Sequence, residues 1–161
     1  MKPGDECESV GRGEQKQKFL RSANQNGILW YMKKYWTGAH TKHRLMIHIV
    51  WIPKYRKRIL NGDLAKRIEE LLRECADFNR WSVEELNVQP DHVHMVLQFR
   101  PDVAISKIVQ LFKGKSSKII RQEFPELKEF YWGDSFWGDG FFAETVGHCN
   151  LETIKNYVKN Q

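Results

Sequence analysis

The sequence predicts an α+β fold: an antiparallel sheet with two helices on one face and a further helix appended at the C-terminus. Three observations carry that reading. Short runs rich in β-branched and aromatic residues alternate with two long amphipathic stretches. The apolar spacing changes accordingly between strand and helix periods. The resulting order is strand, helix, strand, strand, helix, strand, helix. A chain of 161 residues with 41% hydrophobic content is long enough for one well-packed core and too short for two ordinary domains.

Residues 1–35 are polar and glycine-containing, with little periodicity, and read as an extension ahead of one domain spanning 36–161. "GRG" at 11–13 follows no apolar strand and so makes a weak phosphate loop. In "HRLMIHIVWI", 43–52, β-branched and aromatic content rises until Pro53 stops it, the pattern of a strand. The basic "KYRKR" follows. "LAKRIEELLRECADF", 64–78, places Leu64, Ile68, Leu71, Leu72, Cys75 and Phe78 on one helical stripe.

"WSVEELNV", 81–88, and "VHMVLQF", 93–99, read as a hairpin joined through "QPDH", with Pro90 and Asp91 supplying the turn. "DVAISKIVQLFKGKSSKIIRQEF", 102–124, spaces Val103, Ile108, Leu111, Phe112, Ile119 and Ile120 along a helix whose opposite face is basic. The aromatic "FYWGDSFWGDGFFAETV", 130–146, is a strand-and-turn pattern broken at Gly147. "NLETIKNYVKNQ", 150–161, opens on Asn150 as an N-cap and puts Leu151, Ile154 and Val158 near one face of a short helix. The first six elements follow the β-α-β-β-α-β plan of a ferredoxin-like sheet, and the seventh is the added C-terminal helix.

Composition narrows the function. The 26 Lys and Arg against 20 Asp and Glu leave a formal +6, which favours a polyanionic partner, although most basic residues on any soluble protein only solvate its surface. Cys7, Cys75 and Cys149 are odd in number and far apart, with no C-x-x-C pair. They read as reduced thiols of a cytoplasmic protein, Cys75 as a small core residue on its helix. No basic n-region precedes an apolar stretch, and no run approaches the roughly 20 apolar residues of a membrane span. A soluble, unexported protein is expected. "GKSS" at 114–117 lacks the glycine a nucleotide-binding loop needs five residues earlier, where Val109 stands, so ATP binding is rejected.

The chemistry gathers on "DHVH", 91–94. Side chains alternate along a strand, so His92 and His94 share a face with Cα atoms roughly 6.5–7 Å apart, and two imidazoles can converge on one ion from there. Val93 points the other way, into the helix layer. Two exposed histidines on a strand face also need no function, so the metal reading requires a third ligand and a reactive group. Tyr157 and Gln161 stand four apart on the terminal helix, one turn apart on the same face. A glutamine amide oxygen is a neutral hard donor suited to Mg²⁺ or Mn²⁺, and a tyrosine hydroxyl attacks phosphorus once its proton is removed. The phenol is protonated at neutral pH and needs a metal-linked water or electropositive surroundings. The plain alternative packs Tyr157 beside Ile154 and Val158 and leaves Gln161 as a solvated helix end. His40, His43, His48 and His148 lack a partner spacing and read as incidental.

"PDHVHMVL", "KGKSSKII", "YWGDSFWGDGFF", "TVG" and "ETIKNYVKNQ" occur in the order and spacing typical of one family. From about Trp36 to Gln161 the sequence closely resembles the single-tyrosine HUH transposases of IS200-like bacterial insertion sequences. The resemblance implies an enzyme that cleaves and rejoins single-stranded DNA at element ends, with two HUH histidines and a C-terminal glutamine around one divalent ion, Mg²⁺ or Mn²⁺. Carried over residue by residue, His92, His94 and Gln161 are the metal ligands and Tyr157 the nucleophile. A 5′-phosphotyrosine linkage would keep the phosphodiester's energy, so no nucleotide cofactor is needed.

The resemblance further implies single-stranded DNA with hairpin ends as partner. It also implies a homodimer in which the tyrosine helix of one subunit completes the metal site of the other, with Gly147 as a hinge. Candidate DNA contacts are Lys54 and Arg56 in "PKYRKR" and Lys113 and Lys115 in "KGKSSK", with nearby aromatic rings to stack on unpaired bases. Each of these cations also reads as part of a solvated basic surface. The rival readings are a non-catalytic RRM-like nucleic-acid-binding module and a related HUH nuclease that cuts without moving an element. Two departures from the family stand out. Met32 opens "MKKYWTGAHT", an ordinary family start, so residues 1–31 read as an upstream extension from a misplaced start codon; an intact mass that includes them refutes that. The chain also stops at Gln161, where a frayed last turn would weaken metal binding.

Overall fold

The computed structural model describes residues 35–130, 135–147 and 151–160. The expected N-terminal extension, apart from Tyr35, lies outside them, as do Cys7, His148, Cys149, Asn150 and Gln161. Residues 1–42 and 43–161 are two compact units. Trp36–Thr37 (β1) pairs with Lys42–His43 (β2) in a two-stranded ribbon. Its turn is closed by the Gly38 N–H donating to the Thr41 carbonyl at 2.7 Å.

The second unit runs β3 (Leu45–Trp51), α1 (Gly62–Phe78), β4 (Ser82–Gln89), β5 (His92–Phe99), α2 (Ile105–Glu123), β6 (Phe142–Thr145) and α3 (Leu151–Lys159). Short 3-10 turns occupy Lys54–Arg56 and Pro125–Phe130. The sheet order is β4-β5-β3-β6 with every neighbouring pair antiparallel. This is the ferredoxin-like arrangement expected from the element order. Pro90 and Asp91 form the two-residue link of the β4–β5 hairpin, with Gln89 opposite His92.

Alternation along the central strands separates two cores. Ile47, Ile49 and Trp51 of β3 and Val93, Met95 and Leu97 of β5 face α1 and α2, meeting Ile68, Leu72, Ile108 and Phe112. Met46 and Val96 project from the opposite face and cluster with Val146, Leu151 and Val158. The two helices thus cover one face and α3 covers part of the other, which explains why β5 is buried continuously from Val93 to Phe99. Cys75 is a buried core residue, and burial pushes its thiol pKa up. Among the described residues no helix is long and apolar enough to cross a membrane.

Two residues depart from the expected pattern. Phe78 was placed on the apolar stripe of α1 but is 85% exposed. It is the last residue of the helix, whose buried stripe ends at Cys75 and Ala76, and the next buried side chain is Trp81 beyond the helix end. Ser116 sits in the core of α2, where its hydroxyl donates to the Phe112 carbonyl at 2.6 Å and accepts the Trp137 indole N–H at 2.8 Å. Trp137 also packs edge-on to Trp51, with ring centroids 6.0 Å apart. Trp137→Ala therefore loses a large buried ring and strands the Ser116 acceptor. We expect a stability loss of about 3–5 kcal/mol, read from urea unfolding; a loss under about 1 kcal/mol would show that this loop is not part of the cooperative core.

Candidate active site

Strand β5 presents His92 and His94 on one face, their rings edge-to-face with centroids 4.6 Å apart, while Val93 is fully buried on the helix side. The expected open face is not open at His94, which is 5% exposed. The cause is α3, which sets the Tyr157 ring edge-to-face on His94 at 5.8 Å. Tyr157 itself is 52% exposed. The packing role that the plain alternative gave it falls to Leu151 and Val158, with Ile154 beside them.

Two polar contacts fix α3 on the sheet, and a third within β4 orients the first of them. The Asn87 amide donates to the Val158 carbonyl at 2.6 Å, and the Gln89 amide donates to Asn87 Oδ1 at 2.9 Å. Lys155 Nζ donates to Glu84 Oε2 at 2.9 Å, Glu84 being the extra residue where the β4 register shifts between Val83 and Glu85. The helix thus carries Tyr157 to the histidines of its own chain.

Each histidine is braced at Nδ1. His92 Nδ1 lies 2.6 Å from Asp91 Oδ1, and Arg56 Nε donates to Asp91 Oδ2 at 3.1 Å. The hydrogen bond from His92, reinforced by Arg56, holds the Asp91 carboxyl below the usual carboxylate range. Asp91 is then an anion that accepts the His92 N–H. Arg56 reaches it from a turn in which Tyr55 (φ 61) and Arg56 (φ 52) adopt the left-handed region, at a cost of roughly 1 kcal/mol or more each.

His94 Nδ1 lies 3.0 Å from His48 Nε2. This corrects the reading of His48 as incidental. It is 6% exposed, and burial lowers its pKa, opposed in part by Glu144 on the neighbouring strand. The pairing joins positions 46 residues apart and depends on the β3–β5 register, which sets Val50 opposite His94. Only its period-2 place on β3, in phase with Met46 and Val50, marked it beforehand.

The four basic residues expected to touch DNA fall in different surroundings. Lys54 Nζ sits 5.6 Å from the centre of the Tyr55 ring, and Arg56 is engaged with Asp91 while its side chain remains 67% exposed. Lys113 instead folds inward: its ammonium donates to the carbonyls of Gly138 at 2.8 Å and Gly140 at 2.7 Å, with Asp139 O at 3.4 Å. Burial lowers its pKa, opposed by Asp139. Lys115 Nζ lies 3.9 Å from Glu74 Oε2 on α1. Lys113 and Lys115 belong to α2, across the sheet from Tyr157.

Among the described residues no group of three or more His, Cys, Asp or Glu side chains is placed to hold a metal. His92 and His94 suit two positions of such a site. Both are imidazoles on one strand face, each hydrogen-bonded at Nδ1, the pattern that orients a histidine to bind a metal through Nε2. The expected third ligand, Gln161, lies outside the described residues.

The sequence matches the family model "Transposase IS200 like" over residues 41–161. It is 34% identical over 130 residues to the ISDra2 transposase TnpA of Deinococcus radiodurans, covering 81% of this chain and 91% of the relative. It is 33% identical over 123 residues to the transposase for insertion sequence element IS200 of Salmonella typhimurium, covering 76% and 80%. A crystal structure of a candidate transposase from Deinococcus radiodurans superposes with TM-score 0.66 at 31% identity, covering 78% of this chain and 97% of that one. A REP-associated tyrosine transposase bound to a REP hairpin superposes with TM-score 0.54 at 13% identity, covering 76% and 68%, a likeness of fold. The family model spans residues 41–161 and these relatives cover about three quarters or more of the sequence, so the chain that carries this sheet, histidine pair and tyrosine helix belongs to the IS200-like transposase family.

Proposed function

We propose that the protein cleaves and rejoins single-stranded DNA at insertion-sequence ends, with Tyr157 as nucleophile and one divalent ion, Mg²⁺ or Mn²⁺, held by His92, His94 and Gln161. The observation that carries this is the seating of a half-exposed tyrosine against the buried member of a braced histidine pair. Val158, one residue on, is fully buried, whereas Tyr157 stays half exposed.

That placement supports Tyr157 as the nucleophile, and the family resemblance supplies the polarity of the proposed cleavage. Tyr157 Oη gives up its proton to solvent and attacks the scissile phosphorus, forming the P–Oη bond. The P–O3′ bond breaks, and the departing 3′ oxygen takes a proton to become a free hydroxyl. One phosphodiester is exchanged for another, so no nucleotide is hydrolysed. When bound, the ion polarises the phosphate and offsets the charge that develops on it. Asp91, itself tied to Arg56, holds the His92 ring toward the substrate face, and the α3 anchors at Asn87 and Glu84 hold Tyr157 in reach. Attack by the 3′-hydroxyl of another strand reverses the step and joins new ends.

A hairpin-bearing strand is the substrate form this reading favours, since a tyrosine transposase of the same fold is bound to a REP hairpin. Lys54, Arg56, Lys113 and Lys115 remain the basic residues proposed for the DNA backbone. We also propose a homodimer. In the structure α3 lies on its own chain's sheet, so subunits that share sites would exchange this helix through Gly147. The test is incubation with labelled single-stranded hairpins and Mn²⁺, resolved on a denaturing gel. A covalent adduct that EDTA abolishes, followed by joined strands, is expected; cleavage without joining indicates a nuclease, and binding without an adduct indicates a non-catalytic module.

A further inference from the structure

The reading above uses His92 and His94 and leaves His48 without a role, although His48 is buried, polar and bonded to one of them. Its N···N distance to His94 is 3.0 Å, the ring centroids are 5.3 Å apart and the planes differ by 7°. Those values describe two imidazoles joined end to end in nearly one plane rather than stacked face to face. A ring nitrogen's lone pair lies in the ring plane, so this arrangement aims an N–H along the acceptor's lone pair.

A neutral imidazole carries one N–H and one acceptor nitrogen, so the direction of the bond fixes both tautomers. If His94 Nδ1 donates, its lone pair is at Nε2 and His48 carries its proton at Nδ1. If His48 donates, His94 is protonated at Nε2 and cannot bind an ion there. The ring plane is set as well. His48 is held on β3 between Met46 and Val50, with Phe142 of β6 packed edge-on to it at 6.1 Å, so His94 is braced from a strand other than its own. The Asp91 carboxylate on His92 Nδ1 is the equivalent brace one position away in the alternation.

We propose that His48 is a positioning residue for the metal site: it accepts the His94 Nδ1–H hydrogen bond and thereby fixes the tautomer and ring plane that present Nε2 to the ion. This rests on the metal reading of His92 and His94. It assigns the site two different braces, a carboxylate for the half-buried His92 and a neutral imidazole for the buried His94. A carboxylate in place of His48 would bring a charge into a position that is 6% exposed.

The test combines two readouts on the full chain. Long-range ¹H–¹⁵N spectra of the metal-free, ¹⁵N-labelled protein report the tautomer of His94, and calorimetric titration with Mn²⁺ reports affinity. The wild type is expected to show His94 protonated at Nδ1. His48→Phe, which keeps a ring but has no acceptor, is expected to show a mixture of tautomers and Mn²⁺ affinity lowered 10–100-fold. His48→Gln, whose amide oxygen accepts the bond, should restore the tautomer and recover most of the affinity. A wild-type His94 protonated at Nε2 overturns the proposal whether or not either variant folds. So does His48→Phe with unchanged affinity. Absence of Mn²⁺ binding by a wild type whose His94 is protonated at Nδ1 overturns the metal reading, and the role of His48 with it, and is recognisable as that separate failure.

Discussion

Tyr157→Phe is expected to abolish the covalent protein–DNA adduct while leaving folding and DNA binding in place. Removing one oxygen removes the attacking atom and nothing that holds α3. That helix is seated by Leu151 and Val158 in the apolar cluster, by Asn87 on the Val158 carbonyl and by Lys155 on Glu84. The phenylalanine ring can keep the edge-to-face contact with His94. Because Tyr157 is half exposed, the stability change should stay within about 0.5 kcal/mol. Equal adduct yields from wild type and variant would place the nucleophile elsewhere.

His94→Ala is expected to remove both the response to metal and cleavage. With Mn²⁺ at about a hundred times its dissociation constant, a protein that binds only when folded gains about 2.7 kcal/mol of stability. The variant should show none of that gain in thermal or urea unfolding. It also loses intrinsic stability, because it strands the buried His48 nitrogen at a cost of about 1–3 kcal/mol. His92→Ala separates the two effects: its side chain is 19% exposed, so metal response should vanish with a smaller loss of stability. A full Mn²⁺ response in either variant would show that the ion binds elsewhere.

Much of this architecture was legible in the sequence because it is periodic. The two long helices, the hairpin around Pro90 and the terminal helix declared themselves through apolar spacing and turn chemistry. The shared face of His92 and His94 follows from strand alternation alone, as does the burial of Val93 between them. Phe78 was misread because periodicity describes a helix's own face and not where its neighbour ends. Here the helix ends at Phe78 itself, and burial resumes only at Trp81 in the next segment.

The rest of the site depends on register and on long-range contacts. His48 meets His94 only because β3 lies beside β5 in one particular alignment, which no local pattern specifies. Asp91 was read as turn chemistry, and its position directly before His92 carried no sign that Arg56 would arrive from another segment to complete the brace. Lys113 belongs to a basic helix face by spacing, yet its ammonium turns to loop carbonyls at Gly138 and Gly140 because that loop folds over α2. Sequence reasoning finds faces; the partners across those faces come from the topology.

Whether Tyr157 becomes covalently joined to DNA is decided by locating the adduct. After reaction with a single-stranded hairpin substrate and nuclease trimming, tryptic digestion isolates the segment from Asn156 to Lys159. Tandem mass spectrometry should find a residual nucleotide attached through phosphate to Tyr157. An adduct carried by any other residue, or a cleaved and rejoined substrate with Tyr157 never modified, would show that Tyr157 is not the nucleophile.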